Sequence, residues 1–185
     1  MNHLGTINLE TDRLILRKFK IEDAEDMYNN WASDSEVTKY LRWNTHPNIE
    51  KTKEILKSWI ENYSKNDFYN WAIVLKENNK VIGSIGAAKN DDNTEMVHIG
   101  YCISRKYWNK GITSEAFERI IKFFFEKVKL NRIESCHNEK NIYSGKVMIK
   151  CGLKKEGVLR DALKDNSGIT DCLIYSILRR EYFLE

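Results

Sequence analysis

The feature that most constrains this chain is a segment that runs from a strand through a glycine turn into a helix. Residues 96–103 are nearly all apolar, which predicts a central β-strand, and residues 113–128 carry an apolar stripe at helical spacing. The first N–H groups of a helix lack partners and the helix dipole is positive there, so such an end binds phosphate well. Gly111 lets the backbone approach a ligand closely. The turn 108–113 is therefore the predicted anion site.

The glycine spacing around this turn excludes two familiar nucleotide sites. Neither G-x-G-x-x-G nor G-x-x-x-x-G-K-S/T occurs there. One glycine before a helix is also common in ordinary surface turns, so the turn by itself leaves that alternative open.

Hydrophobic periodicity divides the rest of the chain into strands and helices. In order it reads β-α-α-β-β-β-α-β-α-β-β, which predicts a single α/β or α+β domain over residues 1–185 with one mixed sheet. Asn48 is expected to cap a helix, Gly152 to follow one, and Gly83 and Gly86 to mark a bulge or a close backbone approach. The predicted strands are 13–17, 68–75, 81–88, 96–103, 132–137, 158–162 and 170–178, and the predicted helices are 21–32, 48–63, 113–128 and 141–151.

Charge and composition exclude several classes of protein. Lys and Arg number 30 against 27 Asp and Glu, with no long basic run, which argues against a nucleic-acid partner. No apolar stretch is long enough to span a membrane and the N-terminus lacks the apolar core of a signal peptide, so we expect a cytoplasmic protein. The four cysteines form no C-x-x-C pair, which indicates buried free thiols in a reducing compartment. The histidines show no metal-ligand spacing, so no metal is expected.

A second segment, 141–153, follows the next predicted strand. Together the two segments resemble the GCN5-related N-acetyltransferase (GNAT) superfamily. The first resembles its pyrophosphate motif, Q/R-x-x-G-x-G/A, at Gly111, while Trp108 and Thr113 depart from the other two slots. The sequence pattern of this segment, Y-W-x-K-G-x-x-x-E-A, is similar to that of one branch of the superfamily, the ribosomal-protein N-terminal acetyltransferases and their bacterial relatives. The second segment is similar to that branch's N-x-x-S-x-x-V/L-L/M-x-K-x-G-F/L at Asn141, Ser144, Val147, Met148, Lys150, Gly152 and Leu153.

The resemblance, which covers nearly the whole chain, implies a fold and a cofactor. The fold is a mixed, mostly antiparallel sheet of about seven strands flanked by about four helices. Strands 96–103 and 132–137, the fourth and fifth along the chain, are expected to splay apart and admit acetyl-CoA. A backbone N–H at the splay then serves as the oxyanion donor. The residues implied for acetyl-CoA binding are Tyr101, Ile103, Trp108, Asn109, Lys110, Gly111, Ile112, Thr113, Asn141 and Ser144.

Two residues are candidates for proton transfer. His98 stands where the branch often carries Glu, and a neutral imidazole is available at neutral pH, so His98 is the candidate base. The alternative is a strand histidine without a catalytic role, because strand position alone does not place a group against a substrate. Many superfamily members use a Tyr as the acid where this chain has Met148, which leaves Ser144 as the candidate hydroxyl. Packing or capping within its helix explains Ser144 equally well.

The acceptor is predicted to be an amine. An α-amino group titrates near ~7.7–8.0 and lysine near ~10.4, so a site with a weak base favours a protein N-terminus or a small amine. Tyr40, Trp43 and His46 are candidates for the wall of its pocket, although aromatic residues after a first helix more often belong to a core. An aminoglycoside or polyamine acceptor is one alternative, and a non-catalytic acyl-CoA-binding module is another, which Met148 supports. The protein is expected to be a monomer or a homodimer.

Overall fold

A computed structural model describes residues 1–184, whose strands form one sheet flanked by helices. The strands are β1 (Leu9–Glu10), β2 (Leu14–Arg17), β3 (Asn70–Leu75), β4 (Val81–Asp91), β5 (Met96–Ile103), β6 (Arg132–Asn138), β7 (Lys154–Asp165) and β8 (Gly168–Leu178). Across these described residues the order is β1-β2-β3-β4-β5-β6-β8-β7. Neighbours are antiparallel except β5 and β6, which run parallel. The predicted mixed, mostly antiparallel sheet is confirmed, with eight strands.

Helices pack on both faces of this sheet. They are α1 (Ala24–Met27), α2 (Ser35–Thr38), α3 (Ile49–Asn62), α4 (Ile112–Phe123), α5 (Ile142–Lys150) and α6 (Arg179–Tyr182). The side-chain oxygen of Asn48 accepts a hydrogen bond from the amide of Lys51 at 3.0 Å, which confirms the predicted cap of α3. Gly152 follows α5 with a φ of +83°, as expected of the residue after a helix.

The sheet separates two apolar clusters. On one face α4 packs against the central strands, and Phe117, Phe124 and Trp71 are fully buried there. On the other face α1 and α3 cover the sheet through residues that include Trp31 and Leu56. Because successive side chains of a strand point to opposite faces of the sheet, alternate residues of β5 face different clusters.

The parallel pair β5–β6 is short, and this shapes the site. Residues 96–98 pair with residues 132–134, and there the register ends. One residue further on, the hydroxyl of Ser135 donates to the carbonyl of Ile99 at 2.7 Å. Strand β6 continues its ladder with β8 on its other side through residue 138. The end of β5 is therefore separated from β6, which confirms the predicted splay.

The predicted helix over 21–32 is confirmed as a helical segment, but its winding changes along its length. It consists of a 3-10 turn at Ile21–Asp23, then α1, then a π turn at Tyr28–Ala32. The π turn holds more residues per turn than an α-helix, and with it both Trp31 and Ala32 become fully buried. Local periodicity does not report such a change of winding, because packing against the sheet selects it.

Strand bounds differ from prediction at both edges of the sheet. Strand β1 has only two residues and no periodic signal of its own, so it was missed. Strand β7 spans twelve residues where five were predicted, and β4 ends at Asp91 where the predicted strand ended at residue 88. Pairing with β8 extends β7 through exposed polar residues that carry no apolar alternation.

The predicted strands 68–75 and 81–88 are confirmed as the antiparallel pair β3–β4, and Gly83 and Gly86 lie where backbones approach closely, as predicted. A Cβ at Gly83 would lie 2.5 Å from the carbonyl oxygen of Cys102, and one at Gly86 would lie 2.5 Å from that of Tyr69. Both positions therefore exclude a side chain.

Candidate functional site

A cavity of about 650 Å³ lies beside the end of β5, the part of that strand that no longer pairs with β6. Its walls are the end of β5, the turn that follows it, the first turn of α4 and one face of α5, and the segment 36–41 closes the other side. A concave site of this size is typical of a small ligand or cofactor. Nine of the ten residues predicted to hold the cofactor line it, and Lys110 does not.

The turn before α4 is shaped to bring backbone N–H groups to the cavity. Asn109 and Gly111 have φ values of 58° and 72°, in the left-handed region, and α4 begins directly after Gly111. Ile112, Thr113 and Ser114 in the first turn of α4 line the cavity. The N–H groups of a first helical turn have no partners within the helix, so they are available to an anion.

Ion pairing and hydrogen bonds hold this turn in place. Arg13 donates from Nη1 to the carbonyl of Lys110 at 3.1 Å and pairs with Glu115 at 2.6 Å. The indole N–H of Trp108 donates to the carbonyl of Ile103 at 3.1 Å, which ties the turn to the end of β5. Lys110 itself extends over the ring of Tyr107, with its Nζ 5.3 Å from the ring centre. Lys110 thus contacts Tyr107, which lines the cavity, while Lys110 itself is not part of the lining.

The lining of the cavity is rich in positive charge. Lys39, Lys140, Lys146 and Lys150 line it, against the acidic Glu36. A Cβ built at position 111 would lie 3.6 Å from Nζ of Lys150, so this ammonium group stands next to the turn that precedes α4. A helix start with lysines beside it suits a ligand that carries phosphate groups.

Two hydroxyl groups meet at the deep end of the cavity. Tyr101 on β5 donates to the carbonyl of Ser144 at 2.9 Å, and its oxygen lies 3.0 Å from the Ser144 hydroxyl. Burial raises the pKa of Tyr101, so its phenol stays protonated. Asn141 also lines the cavity, just before α5. Met148, in the slot where many superfamily members carry Tyr, is fully buried in the core.

His98 lies on the opposite face of β5 from Tyr101 and Ile103 by strand alternation, and it does not line the cavity. Its Nδ1 lies 3.1 Å from Oε1 of Glu134, and its Nε2 lies 3.6 Å from Sγ of Cys136. Burial lowers the pKa of His98, but the contacts with Cys136 and Glu134 outweigh burial, and the net pKa is raised. A histidine that is oriented by a carboxylate in this way has the geometry of a proton acceptor.

The three predicted pocket aromatics are separated by the fold. Tyr40 lines the cavity. Trp43 and His46 lie outside its lining and contact each other, with ring centres 5.2 Å apart. His46 is buried, its Nδ1 lies 2.8 Å from the hydroxyl of Thr52, and burial lowers its pKa. Of the three, only Tyr40 is in a position to meet a ligand in this cavity.

Sequence reasoning missed the partners of His98. Glu134 and Cys136 are two residues apart in β6, so their side chains lie on the same face of the sheet, and the register of β5 with β6 places His98 beside them. The two-residue spacing could be read from the sequence, but the register that brings these residues to His98 could not. Arg42 lies in a loop 94 residues before Cys136 in the sequence, and its Nη2 is 3.7 Å from Sγ of Cys136.

This fold and this cavity define an acetyltransferase. The acetyltransferase (GNAT) domain family matches residues 13–154. An uncharacterized N-acetyltransferase, p20 of Bacillus licheniformis, is 34% identical over 174 residues, which are 94% of this chain and 97% of that protein. The putative ribosomal N-acetyltransferase YdaF of Bacillus subtilis is 27% identical and covers 92% of this chain and 94% of its own length. The crystal structure of a GNAT-family acetyltransferase from Bacillus anthracis gives a TM-score of 0.83 at 29% identity, covering 95% of this chain and 100% of that one.

The chain therefore belongs to the GNAT acetyltransferase family, and it is an acetyl-CoA-dependent N-acetyltransferase. The resemblance seen in the sequence motifs is confirmed. Two further findings concern residues 1–184. No helix among them is both long enough and apolar enough to cross a bilayer. They also contain no group of three or more His, Cys, Asp or Glu side chains arranged to hold a metal ion.

Proposed function

We propose that acetyl-CoA lies in the 650 Å³ cavity and passes its acetyl group directly to an amine that enters from the other side of the gap. One observation carries this proposal: the start of α4 and the unpaired end of β5 line the same cavity. The pyrophosphate would rest on the first N–H groups of α4, beside Lys150. The unpaired end of β5 would hold the pantetheine arm and offer an N–H to the oxyanion.

The proposed acceptor is an α-amine of a protein or peptide, or a small amine. Its lower pKa, near ~7.7–8.0 against ~10.4 for lysine, means that a larger share is neutral and nucleophilic at neutral pH. Similarity to a chain named a putative ribosomal N-acetyltransferase supports the protein N-terminus within this class. Tyr40 is proposed as a contact for the acceptor, because it lies on the cavity wall that faces the end of β5.

His98 is proposed as the base that takes the proton of the attacking amine. If its Nδ1–H donates to Glu134, the lone pair of Nε2 is left to accept a proton, directly or through a water. The raised pKa makes the imidazole a stronger base, and a smaller fraction of it is neutral at a given pH. The transferred proton therefore has an acceptor on the face of the sheet where an amine can enter.

Ser144 is proposed as the hydroxyl beside the leaving sulfur. It lines the cavity, and its oxygen lies 3.0 Å from the protonated Tyr101 hydroxyl, so the pair can supply a hydrogen bond to the CoA thiolate. Since a thiolate is a fairly good leaving group, a hydrogen bond suffices where Met148 replaces the usual acid.

The first experiment is titration calorimetry with acetyl-CoA, followed by an assay for free CoA thiol with different amines. The matched acceptors are a peptide with a free N-terminus, the same peptide with that terminus blocked and an internal lysine left free, a polyamine and an aminoglycoside. Thiol release with the free N-terminus alone supports the proposal. Release with the polyamine or aminoglycoside alone contradicts the α-amine acceptor. Binding without release for any amine indicates a non-catalytic module, and no binding overturns the proposed site.

A further inference from the structure

Four polar side chains meet at the point where β5 and β6 separate, outside the acetyl-CoA cavity. Sγ of Cys136 lies 3.6 Å from Nε2 of His98 and 3.7 Å from Nη2 of Arg42. Nδ1 of His98 in turn lies 3.1 Å from Oε1 of Glu134. The four residues come from β5, from β6 and from the segment that follows α2, so the cluster exists only in the folded protein.

The arrangement can move a proton from the thiol to the imidazole. Glu134 orients the ring through Nδ1 and leaves Nε2 facing the sulfur, which is the geometry of a nucleophile with its base. The second carboxylate oxygen of Glu134, Oε2, pairs with Nη2 of Arg132 at 3.0 Å, which fixes the carboxylate. The guanidinium of Arg42 adds a positive charge next to the sulfur.

Cys136 is half-buried. Pairing of β5 with β6 ends at His98. Gly100, two residues beyond the last paired residue of β5, is exposed, and a Cβ built there would meet no atom within 4 Å. A small molecule can therefore approach Sγ through the gap while both strands stay folded.

The other three cysteines lack these partners. Burial raises the pKa of Cys102 to about 11 and that of Cys151 to about 12, which keeps both thiols protonated at neutral pH. Cys172 is 4% exposed in the core. Among the cysteines of residues 1–184, Cys136 alone has an imidazole and a guanidinium beside its sulfur, and this difference in neighbouring groups predicts selectivity for Cys136.

We propose that Cys136 is a reactive thiol that forms a mixed disulfide with low-molecular-weight disulfides. The sulfur attacks one sulfur of R–S–S–R, the S–S bond breaks, and a bond from Cys136 to S–R forms. The leaving R–S⁻ takes the proton that His98 accepted from Sγ. One disulfide is consumed and one mixed disulfide and one thiol are produced, so atoms, protons and electrons balance. Excess thiol reverses the exchange.

The adduct also interferes with acetyl transfer, and this consequence rests on the proposed role of His98. With Nε2 only 3.6 Å from Sγ, a group attached to the sulfur fills the space through which an amine would reach the imidazole. Modification of Cys136 is then a reversible block on the acceptor side, while acetyl-CoA binding in the cavity persists.

The first test uses glutathione disulfide and peptide mapping by mass spectrometry at neutral pH. We expect the adduct on Cys136 to form at least about tenfold faster than on Cys102. Arg42→Gln, on an exposed side chain, and His98→Gln should each slow the reaction several-fold, and Cys102→Ser should match the wild type. Adduct formation first on Cys102, or an unchanged rate at Cys136 in both Arg42→Gln and His98→Gln, would overturn the proposal.

The second test compares acetyl transfer before and after the same treatment. Wild-type activity should fall with the extent of adduct at Cys136 and return on addition of dithiothreitol, while Cys136→Ser should keep its own untreated rate. Full turnover by protein carrying the adduct would refute the block. The mapping experiment requires no amine acceptor, so it decides the reactivity of Cys136 even if no acetyl transfer is found and the proposed function fails.

Discussion

Replacing Gly145 with alanine brings a methyl group against a buried imidazole beneath α5. A Cβ built at Gly145 lies 2.6 Å from Nε2 of His137, with two further ring atoms at 3.1 and 3.3 Å. Non-bonded heavy atoms prefer separations of about 3.5 Å, so the helix and the ring must part by roughly 0.9 Å.

The ring has little freedom to yield. His137 is 6% exposed, its Nδ1 lies 2.7 Å from the carbonyl of Asn138, and its ring centre is 5.5 Å from that of Tyr175. We therefore expect α5 to move outward. Because Ser144 and Val147 on α5 line the cavity, the displacement reaches the acetyl-CoA site.

Two opposing effects set the size of the change in stability. Overpacking a core contact costs about 1–3 kcal/mol. Alanine in place of glycine within a helix contributes about 1 kcal/mol of stability, which leaves a net loss of roughly 0 to 2 kcal/mol for Gly145→Ala. Urea unfolding measures this loss, and titration calorimetry measures the weaker binding of acetyl-CoA.

The decisive measurement places Gly145→Ala in a His137→Ala background. Without the ring the clash is gone and only the helix preference remains, so the same substitution should now stabilise the protein by up to about 1 kcal/mol. Gly157→Ala is the matched control, since a Cβ there meets no atom within 4 Å. If Gly145→Ala is equally stabilising in both backgrounds and leaves acetyl-CoA affinity unchanged, the steric reasoning is wrong.

Three further outcomes are expected. Gly111→Ala forces a residue with a side chain to a φ of +72°, at a cost of about 1–2 kcal/mol, and should weaken acetyl-CoA binding by calorimetry; unchanged affinity would contradict the role of the turn. As pH falls through the raised pKa of His98, kcat/KM should decrease because the base becomes protonated. His98→Gln should lower the rate and remove this pH dependence without changing the affinity for acetyl-CoA; if the variant keeps the same pH dependence, another group is the base. The Arg132 hydrogen bond lowers the pKa of Glu156 from 4.5 to about 2, so this carboxylate stabilises the fold above pH 4.5 and loses that contribution as pH falls from 4.5 to about 2. Glu156 is partly exposed, so the free energies of unfolding of wild type and Glu156→Gln should differ at pH 6 by only ~0.2–1 kcal/mol, as expected of a surface ion pair. Urea titrations measure this difference, which should vanish near pH 2; a difference that is the same at both pH values would contradict the linkage.

Local pattern in the sequence was enough to predict the elements that form the cofactor cavity. The apolar run of β5, the stripe of α4 and the glycine between them are each visible within a short window, because side-chain periodicity and helix starts are local properties. The cap at Asn48 followed for the same reason. The motif of α5 then made the GNAT resemblance specific enough to imply the splay.

The tertiary structure alone decided which side chains meet. His98 lies 36 residues from Glu134 and 38 from Cys136, and only the register of the parallel pair joins them. For His46, the sequence left open whether it belongs to the acceptor pocket or to the core, and the structure places it buried, with its Nδ1 2.8 Å from the hydroxyl of Thr52.

The same limit applies to the strand order. The placement of β8 between β6 and β7 is also invisible in the sequence. Contacts between distant segments depend on which strands pair and in which register, and local periodicity does not encode either.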